Sequence, residues 1–408
     1  MDAEATAAAA VQRVIDAAHR RRGSMELDLA ALVAIPTGCG HRHGLDAARV
    51  WMRARLEALG ARVERVKGGV RPPWLRESAA GDDEGDVLIA RGGESGSGPR
   101  ILLSGHIDTV HDPQGAFRMI GEEQGGMRHG PGAADMKGGL VVALAALEVL
   151  AEVGVHPRWT FVLNADEETG SFCSAHILER VARECDVGLV LEPAVGNDFV
   201  MERPGSAQFR IDAKGRAAHA GRDAAQGISA VHALAQAICT VLAANDPANG
   251  CILNIGPLEG GAATNVVPAD AAAWGNARYF TAPARAEVER VLGAIATKEA
   301  ALPRLTVEVV HNRPAKPATD SVQALASLAV ACAAQVGCAC RAVSTGGVSD
   351  ANVLQHAGLP CLDGLGVRGG NLHRTDEFVV IDSLCERAAI LALLIRRIME
   401  RPPVPCRP

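Results

Sequence analysis

Aromatic side chains are scarce in this 408-residue chain. They make up 3% of it, with a single tyrosine, while 44 glycines are present. Elements built from such small residues pack closely. Paired cysteines are also missing. There are 11 cysteines, an odd number, and no two stand as CxxC; the nearest pair, Cys338 and Cys340, is a CxC. A disulfide framework and a cysteine zinc site are both disfavoured, and reduced thiols in a cytoplasmic protein fit better. Strong charge of either sign is absent, the formal net charge being −6. This argues against nucleic acid or an anionic membrane as a partner. No apolar run is long enough to span a bilayer, since LVVALAALEVLAEVGV is broken by Glu148 and Glu152. The N-terminus, MDAEATAAAAVQRVIDAAHRRR, carries acids where a signal peptide needs bases. No GxGxxG follows the first strand and no GxxxxGK[ST] occurs, which sets aside a nucleotide-binding reading.

What is present is an alternation of strands and helices. The pattern predicts helices over 3–21, 45–59, 138–153, 171–184, 321–336 and 381–400. Apolar runs ARVERV, DVLIA, RILLSGH, the stretch 158–166 and DVGLVLE read as strands. PPWLRESAAGDDEGD and ARGGESGSGPR read as exposed connections. Together these indicate an α/β domain with a largely parallel sheet, whose ligands gather at the carboxyl ends of the strands. From about residue 206 the order becomes β-α-β-β-α-β, the split arrangement of ferredoxin-like domains. The expected organisation is a catalytic domain over 1–205 and 317–408, with a smaller domain over 206–316 inserted into it.

Five stretches place metal-competent residues at strand ends or in loops. They are SGHIDTV (104–110), GPGAADMKGG (130–139), NADEETG (164–170), LEP (191–193) and GGNLHRTDEF (369–378). His106 and Asp108 are two apart, so on a strand both face one way. A metal-binding histidine commonly gives its other ring N–H to a carboxylate. Asp135, taken alone, reads as an N-cap before a helix. Glu192 reads as a turn residue and His373 as a loop histidine when each is taken alone. Glu167 and Glu168 follow a buried strand, where ionised carboxylates are costly unless something positive meets them. Histidines and carboxylates together suit zinc and similar ions.

In their order and spacing these five motifs resemble the zinc-dependent aminoacylase and carboxypeptidase family, most of all its glutamate carboxypeptidases. The likeness runs from about residue 25 to 400. It implies a zinc-exopeptidase-like catalytic domain with an inserted ferredoxin-like dimerisation (lid) domain. It further implies two Zn²⁺ per subunit, for which Co²⁺ or Mn²⁺ can substitute. His106 and Glu192 would hold one ion, Glu168 and His373 the other, and Asp135 would bridge them. Asp108 would steady His106, and the Asp135–Met136 peptide bond would be cis. Glu167 would be the general base, taking a proton from water and delivering it to the leaving amine. Asp166 reads as structural. His219, in KGRAAHAG, would stabilise the oxyanion in the partner's site of a homodimer. Arg278, Arg313, Asn265 and Gly347 would bind substrate, arginine being suited to a carboxylate. Val348 stands where the family commonly has glycine. The implied substrate is a small peptide or N-acyl amino acid. The alternatives are an N-acyl amino acid deacylase, of the acetylornithine or succinyl-diaminopimelate type, and a binding module that has lost catalysis. All five implied ligands and the base are present, which counts against the latter.

Overall fold

The structure is a computed structural model that describes residues 2–75, 85–94, 96, 98–297 and 301–402. The connection at 76–84 and positions 95 and 97 of the second predicted loop lie outside the described residues. The chain divides into two compact units. One comprises Met1–Arg71, Glu77–Arg203 and Lys316–Pro408, the other Pro72–Arg76 and Pro204–Ala315.

The first unit is built on a six-stranded sheet. Its strands are β1 (Arg62–Val66), β2 (Val87–Gly92), β3 (Arg100–His106), β4 (Arg158–Asn164), β5 (Val187–Val190) and a short strand Cys361–Leu362, in the spatial order β1-β2-β4-β3-β5 and then Cys361–Leu362. β1 and β2 run antiparallel to their neighbours, while β4, β3, β5 and the short strand are mutually parallel. Nearly continuous apolar runs suit strands covered on both faces. Alternation then divides their side chains between two cores. Ile101, Leu103, Phe161, Leu163 and Leu189 face one core with helices Gly139–Glu152 and Asp382–Glu400. Leu102, Val162 and Val190 face the other, with Ile177, Leu178 and Val181 of helix Ala175–Arg183. At about 25 cal/mol per Å² of apolar area, burying one such side chain contributes about 2 kcal/mol. The helix expected from 171 starts only at Ala175, because 166–174 is a turn tied to Asp166.

The main sheet of the second unit has, among the described residues, four strands, β6 (Gly205–Lys214), β7 (Cys251–Gly260), β8 (Asp270–Tyr279) and β9 (Arg304–Arg313). Their order is β7-β8-β6-β9 with every pairing antiparallel. Ala207, Phe209, Ile211 and Ala213 alternate inward and pack with Leu234 and Val241 of helix Ala230–Leu242 and with Val288 and Leu292 of helix Ala282–Ile295. Both helices start on an N-cap hydroxyl: Ser229 accepts the His232 N–H and Thr281 the Ala284 N–H.

Candidate metal centre

Three parallel strands end at one place. β3 ends on His106, β4 leads through Asn164 into 166–168, and β5 leads into Glu192. His106 is 1% exposed. Its Nδ1 lies 3.0 Å from the backbone carbonyl of Asp108 and 3.4 Å from the Asp108 carboxylate. A carbonyl only accepts, so Nδ1 carries a proton and Nε2 is the nitrogen left to face the other side chains of the cluster. The nearer acceptor is thus the Asp108 backbone, whereas the two-residue spacing pointed to its side chain. The carboxylate of Asp108 instead accepts the backbone N–H of Glu167 at 3.3 Å and of Glu168 at 3.0 Å.

Asp135 leaves helical geometry, at φ −111° and ψ 94°, and its peptide bond to Met136 is cis, as the resemblance implied. Its side chain does not cap the following helix. Oδ1 lies 3.2 Å from His106 Nε2 and Oδ2 lies 3.5 Å from His373 Nε2. His106 Nε2 is 3.8 Å from Glu192 Oε1, and His373 Nε2 is 3.3 Å from Glu168 Oε2. Two glycines permit this close fit. Gly132 has φ +69°, and a Cβ there would meet Thr109 at 2.5 Å; a Cβ on Gly139 would meet the Leu191 carbonyl at 2.1 Å. His373 itself has φ +64°, uncommon for a residue other than glycine and of a kind that clusters at functional sites.

Among the described residues, two overlapping groups bring ligand atoms within 4.8 Å of one another: His106, Glu167 and Glu192, and His106, Asp135 and Glu168. The electrostatics fit a cation. Burial, with the charge of Asp135 next, pushes the Glu168 carboxyl up to about 8. Burial and the charges of Asp135 and Glu167 raise Glu192 well above the carboxylate range. Burial disfavours the charged form of His106, but hydrogen bonds to Asp108 and Asp135 outweigh it and raise its pKa. Hydrogen bonds to Asp135 and then Glu168 lift His373 to about 11. Without an ion, the two carboxyls and two imidazoles hold their protons more tightly than usual; a divalent ion replaces such protons and takes the same side chains as ligands.

Asp166 stands apart from this cluster's contacts. Its Oδ2 accepts the N–H of Cys173 at 2.6 Å and of Ser174 at 3.3 Å, and burial lifts its pKa to about 7. The remaining expected residues form separate groups. In the second unit, His219 pairs in register with Val266, and the Asn265 carbonyl accepts the Ala220 N–H, so these two loops are joined. His219 Nδ1 accepts the N–H of Gly221 and Arg222 at 3.1 and 3.2 Å, which puts the neutral ring's proton on Nε2. Arg278 and Arg313 both stand opposite Ser206, one on each flanking strand, and directly opposed residues share a face. Arg313 is buried and Arg278 half-buried. In the first unit Gly347 is exposed, and a Cβ there would meet an Arg203 guanidinium nitrogen at 3.5 Å.

Two residues beside the centre escaped the sequence reading. Glu377 is 1% exposed and accepts the backbone N–H of Asp135 at 3.0 Å, while His111 Nε2 lies 2.7 Å from it. Glu377 sits in a stretch noticed only for His373, and nothing in TDE separates its buried acid from the half-buried Asp376.

Residues 102–397 match the family described as Peptidase family M20/M25/M40. The chain is 30% identical over 384 residues to Carboxypeptidase G2 of Pseudomonas sp. (strain RS-16), covering 90% of this chain and 87% of that one. It is 31% identical over 387 residues to the succinyl-diaminopimelate desuccinylase of Methylobacterium sp. (strain 4-46), covering 86% and 90%. Its fold matches a tripeptidase structure from Staphylococcus aureus subsp. aureus Mu50 at a TM-score of 0.77, with 23% identity, over 93% of this chain and 99% of that chain. A family match across most of the sequence, joined to a histidine and carboxylate cluster at the strand ends, makes this chain a member of peptidase family M20/M25/M40 and a metal-dependent hydrolase.

Proposed function

We propose that the protein is a di-zinc amidohydrolase, able to use Co²⁺ or Mn²⁺ in place of zinc. It cleaves the amide next to an amino acid with a free carboxylate, on a peptide or N-acyl amino acid ending in a glutamate-like residue. The observation that carries this reading is Asp135, whose two oxygens face two different histidines at 3.2 and 3.5 Å. A carboxylate so placed suits a bridge between two ions. His106 and Glu192 would hold one ion, Glu168 and His373 the other. When bound, such a pair polarises a carbonyl and makes water a nucleophile near neutral pH.

The chain's own residues supply the rest. Glu167, 8% exposed beside His106 and Glu192, takes the proton of the attacking water on its carboxylate and passes it to the leaving nitrogen. Asp108 fixes the direction of Glu167 through its backbone N–H. The Nε2–H of His219 is a donor suited to a developing oxyanion, offered by His219 of the partner subunit in a homodimer. Dimerisation through the second unit is favoured by β7, an edge strand with Ile252 and Leu258 39% and 59% exposed. Arg278 and Arg313, with Asn265 and Gly347, receive the substrate; likeness to Carboxypeptidase G2 and the paired arginines favour a carboxylate pocket. Among the described residues no helix is long and apolar enough to cross a membrane, and ten cysteines are free thiols. The thiols favour a cytoplasmic location.

The test is metal content and turnover measured on one sample. The panel holds N-acyl-glutamates, N-acetylornithine, N-succinyl-diaminopimelate and dipeptides of varied C-terminus. Two zinc ions with turnover of the glutamate-ended amides support the proposal. Turnover of the succinyl or acetyl diamino acids alone would move the enzyme to the deacylase reading, which the desuccinylase likeness also favours. Protein that binds no divalent metal sinks both.

A further inference from the structure

We propose that Glu377, backed by His111, is the positioning residue that sets Asp135 between the two histidines; the inference rests on the dinuclear reading above. The buried carboxylate of Glu377 meets four donors. Oε1 accepts the N–H of Ala134 at 2.9 Å and of Asp135 at 3.0 Å. Oε2 accepts the N–H of Gly132 at 3.1 Å and lies 2.7 Å from His111 Nε2. The Glu377 carbonyl also accepts the Gly130 N–H at 3.1 Å. One residue therefore organises the whole bend from Gly130 to Asp135.

That residue is also tied to the other half of the centre. His373 precedes it by four positions, and Phe378 follows it in a strand paired with His129. His129 Nδ1 lies 2.9 Å from the Asp376 carbonyl, which fastens the same corner. Glu377 thus links the loop of one histidine to the loop of the bridging carboxylate. The distance from Asp135 to His373 follows from this link, and with it the fit of a second ion. A carboxylate is needed because it only accepts and has two oxygens for four donors. A glutamine cannot replace it. With its amide nitrogen at Oε1 it confronts two backbone N–H groups. With the nitrogen at Oε2 it confronts the Gly132 N–H, even if the His111 ring changes tautomer to accept.

Residues that orient ligands from outside are worth about 10- to 100-fold in metal affinity. The experiment titrates zinc from the intact protein with a chromogenic chelator, well below the melting temperature. It compares the parent with Glu377→Gln and with His111→Phe. The phenylalanine keeps a ring where His111 packs edge-on to Phe117, at a centroid distance of 5.2 Å, and removes only the donor. Expected is a 10- to 100-fold weaker binding step in Glu377→Gln and a several-fold weaker one in His111→Phe, with unchanged circular dichroism and an altered visible spectrum of the cobalt form. A parent that binds two ions and variants that keep its affinity within twofold would overturn the inference, even if their melting temperatures fell. Should Glu377→Gln not fold, His111→Phe decides by the same two results. A parent that binds fewer than two ions fails the dinuclear reading first, and the inference with it.

Discussion

Asp108 Oδ2 accepts the backbone N–H of Glu168 at 3.0 Å. Its other oxygen takes the N–H of Glu167 at 3.3 Å, so one fully buried carboxylate holds the proposed base and its neighbouring ligand in place. The change Asp108→Asn sets an NH₂ against one of those donors. The expected result is a 10- to 100-fold loss in kcat and weaker metal binding, with KM little changed. Steady-state kinetics at saturating zinc, with metal analysis, checks it.

Glu167→Gln removes a proton acceptor and keeps the shape. Turnover should fall by about 10²- to 10⁴-fold while both metals stay bound. Loss of metal from this variant would give Glu167 the ligand role and Glu168 the other, a possibility raised by the grouping of Glu167 with His106 and Glu192.

Chelation should cost stability as well as activity. Ions that bind only the folded chain add about 2.7 kcal/mol at 100 times their dissociation constant. Scanning fluorimetry should show a lower Tm after dialysis against a chelator and recovery on adding zinc. An unmoved Tm would count against a metal at this cluster of carboxylates.

The row Arg278–Ser206–Arg313 predicts selectivity for a carboxylate. Arg278→Gln, at the half-buried end, should raise KM about 10- to 100-fold for substrates with a free carboxylate and leave carboxamide analogues unaffected. Equal losses on both analogues would refute the assignment.

A pH effect follows from Lys316, which is fully buried and donates to the Met201 carbonyl at 2.7 Å. Burial lowers its pKa from 10.5 to about 8. Between these values the unfolded chain holds a proton that the folded chain has released, so stability rises with pH across about 8 to 10.5. Below that window the penalty for the buried charge is complete, on the order of 3 kcal/mol. Urea denaturation from pH 7 to 10.5 should show the rise in the parent and a smaller one in Lys316→Met. Parallel curves for the two proteins would mean that Lys316 does not titrate in this range.

Much of the centre was legible because its residues stand in short motifs beside strand ends, where an apolar run fixes the position of the next few residues. The strands placed His106, Glu168 and Glu192, but their roles as ligands came from the resemblance, since Glu192 alone reads as a turn residue. Asp135 was ambiguous, since an aspartate before a helix has a good reason to be a cap. The packing of Gly132 and Gly139 admits the bend that turns its side chain inward. Glu377 was not legible at all. Its importance comes from four donors gathered from residues 111 to 135, and no local pattern records a contact made across more than 200 residues. The Arg278–Arg313 row needed register, which depends on how β8 and β9 pair with β6.

The two histidines also differ in access to water. The side chain of His106 is 1% exposed and that of His373 is 55% exposed. An ion on the His106 side would sit against buried side chains, whereas one held by His373 would lie nearer solvent. Exchange should then be sequential, with the outer ion the labile one and the inner ion the long-lived resident. In a cell whose metal supply fluctuates, the singly loaded protein would be a reservoir form, restored by capture of one ion rather than rebuilt from the empty chain.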